Sequence, residues 1–207
     1  MLVMDIKDFA KLIQQKQKEL DSLMRREMPI IAGRMAKDHF QDNFRKGGFV
    51  NNGLHPWPKA KRLSSGRSDA ASNYGTLLSS RNHLFSSIKY TPSDYRVRVA
   101  NEVPYAPIHN WGGVVEPKVT PQMRRFAWAM FYKSSGRSRK NRKGRKTAKK
   151  GPVEVSPEAA KWRALALTKK KKLKISIPQR QFLGRSEELV NSIQAEMEKR
   201  AKRILNL

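Results

Sequence analysis

Acid–base or metal chemistry in this chain would draw on four scattered imidazoles, His39, His55, His83 and His109. No pair stands at H-x-x-x-H spacing, and none joins a His/carboxylate cluster of metal-ligand type. A G-x-S-x-G elbow, a P-loop and a Rossmann glycine pattern are all missing. There is no cysteine, hence no disulfide framework and no thiolate metal site. The acids at Asp5, Asp8, Glu187, Glu188 and Glu196 read as helix-surface residues and form no carboxylate pair for glycoside hydrolysis. His109 alone sits in a motif-like setting, Val-Pro-Tyr-Ala-Pro-Ile-His-Asn-Trp-Gly-Gly over Val103–Gly113. The sequence offers it neither nucleophile nor substrate site, so it reads as a histidine bonded to its own loop backbone. The expectation is a chain that is not an enzyme and holds no cofactor or metal.

The elements around that stretch explain its position. Tyr95–Ala100 alternates, with Tyr95, Val97 and Val99 on one face and Arg96 and Arg98 on the other, the period of a half-buried strand. Pro104 and Pro107 end the pairing, and Gly112-Gly113 permits positive φ and close backbone approach. A second alternating run, Leu173–Ile177, is ended by Pro178 and leads into Ile-Pro-Gln-Arg-Gln-Phe-Leu-Gly over Ile177–Gly184.

These pieces carry a resemblance. Tyr-Ala-x-Ile-His-x-x-Gly-Gly resembles the signature of phage virion morphogenesis proteins, the Mu-type tail-completion or head–tail joining family. Ile177–Gly184 is similar to that family's second signature ahead of its last helix, and Asn43-Phe44 with Trp57-Pro58 is similar to its upstream segment. In the family a Thr-Gly-x-Leu turn precedes the first strand; here Asn82 stands at the glycine position, and Asn tolerates the left-handed conformation. The resemblance marks Tyr105, Ile108, His109, Trp111, Gly112, Gly113, Pro178, Arg180, Phe182, Leu183 and Gly184 as structural or interface residues. It implies a neck or tail protein working as a homomeric ring, hexamer or dodecamer, that joins or caps the tail and touches other neck, connector or tail proteins.

Charge is the second signal. The 207 residues carry 44 Lys and Arg against 17 Asp and Glu, a net +27. Of this, Lys133–Lys174 holds 17 cations and two acids, a net +15. Its basic contact residues are Arg137, Arg139, Lys140, Arg142, Lys143, Arg145, Lys146, Lys149, Lys150, Lys169, Lys170, Lys171 and Lys172. Such a run calls for an acidic protein surface or nucleic acid. Few aromatics interleave with it, which argues against a stacking platform for single strands, and no helix-turn-helix, zinc or RRM motif appears.

The chain reads as one domain, 1–207, of α+β class: long N- and C-terminal helices on a small, mainly antiparallel sheet, with long loops and a basic insertion. Its parts are a helical arm (1–45), an extended loop (46–83), a hairpin plus helix (84–132), a basic insertion (133–172), and a strand plus C-terminal helix (173–207). In the arm, Asp5 is an N-cap candidate, Pro29 breaks or restarts the helix, and Phe40 and Phe44 are core anchors. Lys46–Ser80 reads as loop except for Trp57, taken as a plug at the core edge. Leu84–Tyr90 and Tyr95–Ala100 predict a hairpin turning at Thr91–Asp94, with Leu173–Ile177 as the sheet's third strand. Thr120-Pro121 starts a helix, Ser134–Gly151 lacks apolar periodicity, Val153–Val155 reads as a short strand, and Ser186 caps the last helix.

Three functions compete at this level. The first is a structural virion protein at the neck or tail, assembled in the bacterial host cytoplasm. The second is a non-specific nucleic-acid binder acting through 133–174, with packaged DNA as one target. The third, an assembly-associated hydrolase, lacks its residues. No apolar run reaches the ~20 residues of a membrane span, and Met1–Asp5 lacks a signal-peptide pattern, so no membrane partner is expected. The signatures further predict that Tyr105, Ile108, Trp111 and Phe182 pack as one cluster, with Arg180 pinning the 177–184 turn. On that reading Trp111→Ala would cost ~3 kcal/mol or more.

Overall fold

The computed structural model describes residues 5–60, 63, 74–135 and 156–206. Contacts divide them into two compact units: Met1–Gly113 with Ile177–Leu207, and Val114–Ser176.

The first unit begins with helix α1 (Ile6–Ser22), which runs through a π-helical turn (Leu23–Glu27) into α2 (Met28–Lys46). Asp5 takes the N-cap position without a side-chain capping bond. The wide turn is where Pro29 acts. Proline has no N–H for the carbonyl four residues back, and its ring crowds that carbonyl. The carbonyl is that of Arg25, and it accepts the backbone N–H of Tyr95 instead, at 3.1 Å. The arm is therefore one interrupted helix. Gly47, left-handed at φ 67°, ends α2.

The Gly- and Asn-rich stretch after α2, read as loop, is a hairpin: β1 (Gly48–Val50) pairs antiparallel with β2 (Leu54–Pro56), Phe49 facing His55. Asn52 and Gly53 both have positive φ at its turn, the conformation for which those residue types are suited. A short α3 (His83–Ser86) follows, then β3 (Ile88–Ser93) and β4 (Arg96–Asn101), in register from Ile88↔Asn101 to Ser93↔Arg96. The hairpin matches the sequence pattern, but Leu84–Phe85 belongs to α3 and the turn is Asp94-Tyr95. Asn82 explains the difference. It is left-handed (φ 45°), it accepts the N–H of Ser79 on its side chain at 3.0 Å, and it starts a helix there.

The core of this unit joins Ala36, Phe40 and Phe44 of α2 with Phe49, Trp57, Leu84, Ile88, Val103, Ala106, Phe182 and Leu189. Gly33 lets the β3–β4 hairpin lie against α2: a Cβ there would stand 2.9 Å from Val97 Cγ2 and closer still to the Tyr90 ring. Two further helices complete the unit, α4 (Ala106–Trp111) and α7 (Glu187–Leu205). The Ser186 hydroxyl caps α7 by accepting the N–H of Leu189 at 3.3 Å.

In the second unit, α5 (Pro121–Ser134) and α6 (Pro157–Leu167) pack together through Ala127, Phe131, Ala159 and Ala166, all buried. Thr120 and Ser156 cap them by accepting the N–H of Met123 and Ala159, each at 3.2 Å. Phe126 meets Trp162 edge-on, ring centroids 5.7 Å apart. Strand β5 (Gly113–Val115) pairs with β6 (Ile175–Ile177), and a bridge joins Lys118 to Lys172. This corrects the expected three-stranded sheet. The 173–177 strand pairs with β5, and the β3–β4 hairpin stands as a separate two-stranded sheet. Periodicity marks a strand but not its neighbour. The fold is α+β, with small two-stranded sheets and long N- and C-terminal helices. Residues 136–155, which hold most of the basic run and Val153–Val155, lie outside the described residues.

Candidate functional site

The two signature segments meet within the first unit. Asn110, buried on α4, is the hinge of the meeting. Its Oδ1 accepts the backbone N–H groups of Phe182 and Leu183, both at 2.9 Å, and its Nδ2 donates to the Leu183 carbonyl at 3.1 Å. One turn edge away, the Arg180 N–H donates to the His109 carbonyl at 2.8 Å. Gly112 (φ +71°) keeps the approach open, since a Cβ there would stand 2.8 Å from the Gln179 nitrogen.

Other segments hold the same loop. Trp57 Nε1 donates to the Gln181 carbonyl at 2.7 Å, and Arg180 Nε donates to the Pro58 carbonyl at 2.9 Å. Asn43, with no exposed surface, donates to the Phe182 carbonyl at 3.4 Å and accepts the Val50 N–H at 3.2 Å. Phe182 is fully buried against Phe44 (centroids 5.1 Å), which also meets Trp57 edge-on at 5.4 Å. Behind the loop, Glu188 accepts the Gly53 N–H at 2.8 Å, and Asn51 Oδ1 accepts the Glu187 N–H at 3.0 Å. That Gly53 bond comes first among the causes that bring the Glu188 carboxyl down to about 2.

The signature residues divide between this latch and the surface. Phe182 and Arg180 are buried; Ile108, His109, Leu183 and Gly184 are half-buried; Pro178 is exposed. Trp111 is 66% exposed and Tyr105 43%. The expected four-residue cluster therefore does not form, and Phe182 alone of the four enters the core. The reason is helical: α4 buries Ala106 and Asn110, one turn apart, and this turns Tyr105 and Trp111 aside. Tyr105 instead bonds His83 Nδ1 through its hydroxyl at 3.0 Å. A cavity of about 220 Å³ lies beside them, lined in part by Leu78, His83, Tyr105, His109 and Arg180. His109 Nδ1 is buried without a hydrogen-bond partner among the described residues, and burial, then Arg180, holds its pKa below the usual histidine range. Sequence reasoning passed over Asn110 and Gln181, which show no periodicity and belong to no residue pattern with a chemistry of its own. Asn43 was visible only as part of Asn-Phe.

Of the basic contact residues, Lys169–Lys172 are exposed in the second unit, with Lys172 3.9 Å from Glu116. Arg137–Lys150 fall outside the described residues. Among the described residues, no three His, Cys, Asp or Glu side chains form a group that could hold a metal ion. No described helix is long and apolar enough to cross a membrane.

The chemistry of the latch is positional. Amide and indole side chains fasten one backbone segment to another. The chain belongs to the phage virion morphogenesis family, whose model matches residues 4–202. Among curated proteins and solved structures, none matches it. Its family gives it a structural or assembly role in the virion.

Proposed function

We propose that the protein is a neck or tail-completion component that acts as a closed homomeric ring and joins or caps the tail. The observation that carries this reading is α1. None of its residues is buried, yet Ile6, Phe9 and Ile13 recur at helical spacing and are 83%, 55% and 51% exposed. Covering such a stripe is worth ~1.5–3 kcal/mol per side chain. A head-to-tail contact through it closes into a ring when the rotation divides a full turn. Electron microscopy and sedimentation of the purified protein test the reading. Rings are expected, and Phe9→Asp with Ile13→Asp should abolish them while leaving the fold intact. A monomer at every concentration, with the protein missing from purified virions, would overturn it.

A second contact has its own observation. Val114–Ser176 carries 20 Lys and Arg against three acids, a net +17 in 63 residues. This suits non-specific contact with packaged DNA, driven by counterion release. Binding should fall steeply with salt, and Lys169–Lys172 changed to Glu should reduce both the affinity and the salt slope.

A further inference from the structure

The β3–β4 hairpin is a two-stranded sheet with one face on α2, and its two outer edges differ. β3 contains Pro92, opposite Val97. A proline cannot donate to the ladder, so Pro92↔Val97 is a pair that exchanges no hydrogen bonds, and the bonded pairs alternate with it at Thr91↔Arg98 and Lys89↔Ala100. On β3 the outward position at Pro92 then has no donor, which blunts that edge. On β4 the outward groups are the N–H and C=O of Val97 and Val99, with no proline among them. This edge is unpaired among the described residues.

The two faces at that edge also differ. Val97 and Val99 are half-buried on the α2 side, Val99 against the core and Val97 against Gly33. Lys89, Arg96 and Arg98 are exposed on the other side. None of the three has an ion-pair partner among the described residues, and the hairpin's one acid, Asp94, is already 2.7 Å from Arg25.

We infer that the β4 edge takes up an extended segment of another protein by strand addition, a segment that alternates apolar and acidic residues. The backbone groups of Val97 and Val99 supply the ladder. The α2 side accepts the apolar side chains, and Arg96 and Arg98 select the acids. A second copy's β4 suits the edge poorly, because antiparallel pairing would set Arg beside Arg. The inference does not rest on the ring reading.

The test uses the full chain and a capped peptide, Glu-Val-Glu-Val-Glu-Val-Glu, with two controls: a Lys-for-Glu version and an alternately N-methylated version that cannot pair. Binding of the Glu peptide should slow amide exchange at Val97 and Val99, and both controls should bind at least about tenfold more weakly. Arg96→Glu with Arg98→Glu should reverse the preference between the Glu and Lys peptides. Equal binding of the N-methylated peptide would reduce the effect to charge alone and overturn the proposal. So would binding that leaves Val97 and Val99 unprotected. Protection of these amides by rising protein concentration alone would assign the edge to a second copy and overturn it equally.

Discussion

The carbonyl of Arg25 accepts its hydrogen bond from Tyr95, seventy residues on, because Pro29 cannot supply one. Around this bond the Arg25 guanidinium meets Asp94 at 2.7 Å, and the Tyr95 hydroxyl donates to Asp21. Helix interruption and hairpin docking are thus one feature. Pro29→Ala should restore an N–H that competes for the Arg25 carbonyl, and amide exchange at Tyr95 should speed up severalfold. Global stability should move by less than ~1 kcal/mol, since the ion pair beside the bond is exposed and worth little. Hydrogen exchange followed residue by residue checks this.

Asn110 and Trp111 are neighbours with opposite expected consequences. Asn110→Ala strands backbone groups of Phe182 and Leu183 in a buried setting and should cost ~2–4 kcal/mol in urea unfolding. Trp111→Ala, at an exposed position, should stay within ~0.5 kcal/mol. The expectation of ~3 kcal/mol for Trp111, drawn from its signature position, is thereby replaced.

Gly33 is tested by alanine. The added methyl would overlap the Tyr90 ring and crowd Val97, so Gly33→Ala should destabilise by ~1–3 kcal/mol despite alanine's better helix propensity. Thermal unfolding measures it. A stabilised variant would mean the hairpin shifts freely on α2.

Acid should weaken the fold in two windows. The Glu188 carboxyl, at about 2 in the fold, sits below its unfolded value near ~4.3. Its contribution is complete above the unfolded value and is lost as pH falls through the folded one. His39 and His109 are both lowered, first by burial, so the unfolded chain takes up their protons first as pH drops below ~6.5. All three act in the same direction, with stability rising with pH. Glu188→Gln should flatten the lower part of a Tm-against-pH curve; it should also deepen the His39 part, because the Glu188 charge holds the His39 pKa up, and leave the His109 part unchanged.

Much of the fold was legible because it rests on local signals. Alternation at 95–100 marked β4, Thr120-Pro121 and Ser186 marked helix starts, and Asn82 marked a left-handed residue. The β1–β2 hairpin escaped because its strands are three residues long and its turn residues look like loop. The third strand's partner escaped because pairing across sixty residues leaves no period. The signatures located the latch, yet the residue that works hardest in it, Asn110, is distinguished only by where α4 points it.

The latch also orders events in time. Asn43, Trp57 and Asn110 all close on residues 181–183, across separations of 139, 124 and 73 residues. The first unit is assembled from 1–113 and 177–207, so none of these bonds can form until the intervening 63 residues have been synthesised. Contacts this distant slow folding. During synthesis Phe44 has Trp57 and Phe85 available to pack on, and the arrival of Phe182 completes the cluster.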